Sequence, residues 1–290
     1  MTSPDIRQSE EFALFMKDLG WDAEKFSGQY VYLKKFPLIG RFAKCPRPDY
    51  PLKLSGISDF LRKKKVFHFK IAPNITGDLP QFKKEKDKLV QLNFRIDKDP
   101  FNPTTTLRIN LQKKEEEIFK SFSEAKRRGV RRAIKHGVII EPSYDIDIFI
   151  KIRQEHFFPM GCLINKEMLM LWKNFYPQSC DLLLAKTARG KFVAGILLLY
   201  CGKIAYYWFA AAIPEGKRLF APTLLVWEAV KTAKKHGCHF LDFEGIYDER
   251  FPKASESWRG FTKFKEGFSD NKIVFMENFY LRKSIFGNIW

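Results

Sequence analysis

The chain lacks what would tie it to a metal, a disulfide scaffold or a membrane span. Its five cysteines (Cys45, Cys162, Cys180, Cys201, Cys238) stand far apart with no C-x-x-C pair. Neither a disulfide framework nor a zinc site is expected, and the thiols read as reduced, in a cytosol. The five histidines (His68, His136, His156, His236, His239) have no H-E-x-x-H or other ligand spacing, so no metal is expected. No apolar signal region follows Met1. The longest apolar tract, Phe192 to Ile213, is broken by Gly202-Lys203 into two runs, each too short to cross a bilayer, and reads as a hairpin. There is no G-x-S-x-G elbow, no P-loop, no internal repeat and no low-complexity tail. Before Pro222 the sequence runs Pro214-Glu-Gly216-Lys-Arg-Leu-Phe-Ala, without the glycines that admit a pyrophosphate to a helix N-terminus. That argues against acetyl-CoA, and no cofactor is expected.

Acidic side chains are also short in supply: 33 Asp and Glu face 51 Lys and Arg, a net charge of +18. Such a field attracts polyanions, whether nucleic acid, phosphorylated sugars or an anionic bilayer surface. A generally basic protein with no such partner would have the same charge. At 290 residues, with 45% hydrophobic and 16% aromatic content, the chain is long and apolar enough for two packed domains. The 29 phenylalanines favour sheet-rich cores.

Apolar spacing predicts a helix over residues 7–20, with Ser9 as N-cap and Gly20 as stop. Strands are expected at 29–35, 40–45, 66–72, 89–96 and 105–111, and a helix at 57–65. Residues 114–136 form the longest predicted helix, interrupted at Gly129. Helices at 145–158 and 166–176 precede a three-strand meander (182–187, 193–200, 204–210), a helix at 222–236 and a strand at 240–243. Helix, helix, three antiparallel strands, helix, strand is the element order of a GNAT-type acyltransferase domain, an α+β sheet with flanking helices. The first half repeats that order more loosely.

Three stretches carry chemistry. In Lys126-Arg-Arg-Gly-Val-Arg-Arg-Ala-Ile-Lys135, helical spacing makes Arg127, Arg131 and Lys135, and likewise Arg128 and Arg132, i,i+4 neighbours. Like charges so placed destabilise a helix unless an anion compensates, and Arg suits bidentate phosphate contact. A solvated face with Glu115–Glu117 and Glu124 as counter-ions is the alternative. In Leu241-Asp-Phe-Glu-Gly245, an apolar strand ends in two carboxylates that strand alternation would place on one side. They could serve as a base, or orient the following loop; the second reading is preferred, with Asp242 near the site. In Phe264-Lys-Glu-Gly-Phe268, Lys265 could stabilise negative charge on a carbonyl oxygen, or be a surface lysine between two core rings.

Taken together, these motifs resemble the Fem family (FemABX), aminoacyltransferases that build peptidoglycan cross-bridges. The resemblance rests on the strand Thr104–Leu111, the acidic helix start at Glu115, the basic block Lys126–Val138 with Val130 for the usual Ile, and the closing pair of motifs. It implies tandem GNAT-like domains without a coiled-coil arm: residues 1–104, with 273–290 returning to them, and residues 105–272 holding the transfer site. It also implies transfer of an amino acid from aminoacyl-tRNA to the stem-peptide amine of a UDP-linked or lipid-linked precursor. By resemblance, Lys265 and Phe264 act at the reaction centre with Asp242 near it. Tyr206, Trp208 (for a common tyrosine) and Lys17 fall at or near precursor-binding positions, and Arg127, Arg128, Arg131, Arg132 and Lys135 would hold tRNA phosphates. The Arg and Tyr that some relatives place after the Arg153–His156 helix are missing from Cys162–Met168. A cytoplasmic location is expected, with peripheral association at the inner membrane face. A CoA-dependent N-acyltransferase of the same fold, or a non-catalytic RNA- or membrane-surface-binding protein, is the alternative.

Overall fold

The computed structural model describes residues 4–156 and 165–283, and the chain divides into two compact units. One takes the described residues up to Thr105, together with Tyr247–Trp258 and those from Ile273 onward; the other takes Thr106–Ile246 and Arg259–Lys272.

The first unit opens with α1 (Glu10–Asp18), whose start is fixed by Ser9: its Oγ accepts the Phe12 N–H at 3.1 Å. Glu10 and Glu11 favour the positive end of the helix dipole, and Phe12, Phe15 and Met16 form the buried stripe. The chain leaves through Gly20 at φ +78°, a conformation that suits glycine. Then come β1 (Asp22–Phe26), β2 (Gln29–Phe36), β3 (Gly40–Pro46), α2 (Ile57–Lys63), β4 (Val66–Ala72), α3 (Phe82–Gln91) and β5 (Arg95–Ile96). The short α10 (Pro252–Ser255) and β13 (Phe279–Arg282) complete the unit. The sheet order is β1-β2-β3-β4-β13-β5, with only β3 and β4 parallel among these neighbours. Val31, Leu33, Leu61, Phe69, Leu89 and Phe279 belong to its core.

The expected strand at 89–96 is mostly helix. Glu85 and Leu89, one turn apart, form the buried face of α3, and Asn93 at φ +63° turns the chain into the two-residue β5.

The second unit contains β6 (Thr105–Asn110), α4 (Glu115–Ser121), α5 (Glu124–Lys135), β7 (Ile139–Ser143), α6 (Ile146–His156), α7 (Asn165–Phe175), β8 (Cys180–Lys186), β9 (Phe192–Cys201) and β10 (Ile204–Ala212). α8 (Pro214–Arg218), α9 (Ala221–Lys235), β11 (Phe240–Asp242) and α11 (Arg259–Glu266) follow, and β12 (Lys272–Val274) begins at the last residue of this unit. The sheet runs β12-β6-β11-β10-β9-β8-β7. β11 lies parallel to β10, whereas β7 to β10 form an antiparallel meander. A register shift between Tyr207 and Phe209 marks a bulge in β10 at Trp208. This is the α+β, tandem GNAT-like architecture that the element order predicts.

The long helix expected at 114–136 is two helices, and the break is not at Gly129. Ser123 interrupts it: extended at ψ 152°, it caps α5 through its side chain and donates its N–H to the Gly267 carbonyl at 2.8 Å. Gly129 lies buried inside α5, where a Cβ would stand 3.1 Å from Thr223 Cγ2, so its smallness lets α5 close on the first turn of α9. The helix expected at 145–158 is present to His156; its last two residues, and Cys162, lie outside the described residues.

Candidate functional site

The site is built where β6 and β11 run side by side, with Asp242 opposite Arg108. Three donors converge on the buried Asp242 carboxylate. Thr106 Oγ1 donates to Oδ1 at 2.7 Å, the Glu244 N–H to Oδ1 at 2.8 Å, and Arg108 Nε to Oδ2 at 2.7 Å. Burial pushes this carboxyl upward, but the Arg108 charge and the hydrogen bonds outweigh it and hold Asp242 below the ordinary carboxylate range. A carboxylate so occupied is a poor proton acceptor; its task is to hold the strand exit. The expectation that strand alternation sets Asp242 and Glu244 on one side does not survive. The strand ends at Asp242, and Glu244 sits in the left-handed region at φ +58°, followed by Gly245 at +104°.

That turn presents the carbonyls of Phe243 and Gly245 to a single ammonium donor. Lys265, on α11, donates from Nζ to Phe243 O at 2.7 Å and to Gly245 O at 2.6 Å. An ammonium has three N–H groups, so one remains for a further acceptor. Burial lowers Lys265 to about 8, against the opposing pull of Glu244 and Asp242. The group is therefore mostly cationic at neutral pH and poised to lose its proton just above it.

Phe264 stands beside it on α11, with its ring 3.8 Å from Lys126 Nζ and edge-on to Phe268 at 5.2 Å. Lys126 reaches both rings by lying along Gly267: a Cβ there would fall 2.5 Å from Lys126 Cε. The glycine of the F-K-E-G-F motif thus makes room for the lysine that opens the basic block. Burial pulls Lys126 to about 8 as well.

The remaining expected residues are spread more widely. On α5, Arg128 pairs with Glu124 at 3.2 Å, Arg131 and Arg132 lie exposed near the rings of Phe119 and Phe220, and Lys135 is exposed. Arg127 is half-buried, and its Nε has no hydrogen-bond partner among the described residues. Glu117 accepts the Lys114 N–H at the head of α4. Tyr206, in register with Asp242 across β10 and β11, is fully buried, while Trp208 at the bulge is half-buried with its ring edge-on to Phe209. Lys17 is exposed on α1 and belongs to the first unit.

Sequence reasoning missed Thr106, Arg108 and Lys126 as parts of this cluster. The first two were visible as polar residues in a strand next to the carboxylate strand, but only the antiparallel register brings them to Asp242. It also missed Arg153, a buried guanidinium 4.3 Å over the Phe209 ring, lowered by burial to about 10.

The N-terminus of α9 packs closely against α5. Ala221 and Thr223 are buried, Gly129 of α5 abuts Thr223, and Phe220, at φ +60°, stacks with His136. Among the described residues no cluster of three His, Cys, Asp or Glu could hold a metal, and no helix is long and apolar enough to cross a membrane.

Residues 180–283 match the model of the FemAB family. No curated protein matches the chain in sequence. Among solved structures, the chain is similar to FemX, with a TM-score of 0.80 and 18% identity over 97% of this chain and 93% of that one. It is also similar to L-PGS from Bacillus licheniformis (TM-score 0.59, 14% identity, 98% of this chain, 94% of that one). A tandem GNAT protein from the clavulanic acid pathway gives 0.54 and 10% identity over 89% and 81%. At these identities the structural likeness is one of fold.

Proposed function

We propose that this chain, which matches the FemAB family model over residues 180–283 and has a FemX-like fold, is an aminoacyltransferase that forms a peptide bond on a peptidoglycan precursor, with aminoacyl-tRNA as donor. The observation that carries this reading is the Lys265 ammonium, fixed by two carbonyls at the exit of β11 with one N–H to spare. The acceptor amine attacks the ester carbonyl carbon of the charged tRNA. A C–N bond forms, the carbonyl oxygen gains negative charge, and the C–O bond to the terminal ribose breaks. The amine's proton leaves as the ribose hydroxyl regains one. Such a reaction starts from an activated ester, so the protein supplies mainly position and a preorganised cation at the developing oxyanion. Asp242 and Thr106 serve by fixing the turn on which Lys265 rests.

Basic residues of α5 supply the field for the RNA backbone, as Arg-rich helical faces do for phosphates. Incubation with total tRNA charged with labelled amino acids, with UDP-linked and lipid-linked precursors in parallel, tests the reading. Label should move to a precursor, and only from charged tRNA. If acetyl-CoA supports transfer to an amine while charged tRNA does not, the reading is wrong.

A further inference from the structure

The turn between β2 and β3 is a three-residue loop, Pro37-Leu38-Ile39, and it departs from what a solvent-facing hairpin tip requires. Leu38 is 108% exposed, Ile39 66% and Phe36 43%. Leu38 also sits at φ +65°, a conformation that favours glycine or asparagine and that a leucine adopts at a cost. Neither exposure nor backbone geometry gives a folding reason for leucine there.

The tip is anchored rather than loose. Phe36 meets the Phe67 ring edge-on at 6.1 Å, and the Arg41 N–H donates to the Lys65 carbonyl at 2.9 Å. Gly40 allows this approach, since a Cβ there would lie 2.6 Å from that same oxygen. The fastening brings the run Arg62-Lys-Lys-Lys65 beside the apolar tip. Arg62 pairs with Asp59 and Lys64 with Glu24. Lys35, Lys63 and Lys65 are exposed and have no ion pair among the described residues. No acidic residue occurs in 34–41 or 61–66.

We propose that the Pro37–Ile39 tip is a membrane-docking element, inserting Leu38 and Ile39 among the headgroups and acyl chains of an anionic phospholipid bilayer while Lys35, Lys63 and Lys65 face the lipid phosphates. Apolar side chains ringed by unpaired cations are what such an interface selects. The same ring argues against self-association, because a second copy docked tip to tip would bring like charges together. The inference stands apart from the transfer reaction, and either can fail alone.

The test is sedimentation of the full chain with large vesicles of phosphatidylglycerol and phosphatidylcholine, and with phosphatidylcholine alone, at low salt. The protein should pellet with the anionic vesicles only. The double variant Leu38→Ser, Ile39→Ser should partition at least about tenfold less, from the apolar area withheld. Lys63→Gln and Lys65→Gln should each weaken partition by roughly fivefold. Both sets alter exposed side chains, so an unchanged thermal transition checks the fold. A Leu38→Trp variant should show blue-shifted emission, quenched by brominated lipid. Equal partition of the double variant, absence of the unaltered protein from the pellet, or tip-dependent dimers without vesicles would each overturn the proposal.

Discussion

Lys265 and Lys126 share one small region of the second unit, and each keeps its charge against burial. A cation held near 8 has a sharp consequence for pH dependence. If the ammonium of Lys265 is the catalytic form, turnover under saturating donor falls as pH rises through about 8, and this alkaline limb disappears in Lys265→Ala. The stability effect has the opposite sense. Between about 8 and the ordinary lysine value of 10.5, the unfolded chain binds the proton that the folded one has lost, so this residue destabilises the fold less as pH rises. Loss of one oxyanion-stabilising donor costs roughly 10²–10³ in kcat. Lys265→Ala should show a loss of that size in single-turnover transfer with RNA affinity nearly unchanged; equal losses in both would make it a binding residue. Gly267→Ala should displace the Lys126 stem, so it and Lys126→Met should be non-additive in denaturant unfolding, with about 0.5–2 kcal/mol at stake.

At the scale of elements, the β6–β11 pair depends on Asp242 more than on any group nearby. Removing one member of a buried, hydrogen-bonded ion pair costs about 3–5 kcal/mol, so Asp242→Ala should lower the urea midpoint strongly, while Thr106→Val removes only one of three donors and should cost less. In the first unit, Arg282 Nε donates to His68 Nδ1 at 2.8 Å, which requires that nitrogen to be unprotonated. Burial, then Arg282 and Lys70, lower His68 to about 4. Stability of this unit should therefore fall as pH drops from about 6.5 toward 4, where the unfolded chain takes up the proton and the folded one does not. Hydrogen exchange across β4 and β13 reads this, and His68→Gln should flatten the slope.

Elements were legible in the sequence where one physical signal dominated. Ser9 and Gly20 bracket α1, and the apolar runs at 182–187, 193–200 and 204–210 mark the three strands of the meander. The helix break went to Gly129 instead of Ser123 because glycine's low helix propensity was visible, whereas the Gly267 carbonyl that holds Ser123 is over a hundred residues away. Lys265 stood out because its motif is local. Thr106 and Arg108 did not, since their role comes from strand register.

For the whole molecule, the charge of +18 sets the expected response to salt. With four to six phosphate contacts on single-stranded-like RNA, log affinity should fall against log salt with a slope of about −3 to −4. Fluorescence anisotropy with tRNA between low and moderate salt measures it, and a flat profile would remove the basic helix from the RNA-binding role.

The placement of β13 governs how the protein must be made. It lies between β4 and β5, with Phe279 in the core, yet it emerges from the ribosome after every residue of the second unit. Until then β4 waits with a bare hydrogen-bonding edge and β5 has no neighbour to join. The earlier-synthesised half must therefore be shielded while the later one folds, and a stalled or prematurely stopped chain would offer that open edge to other polypeptides.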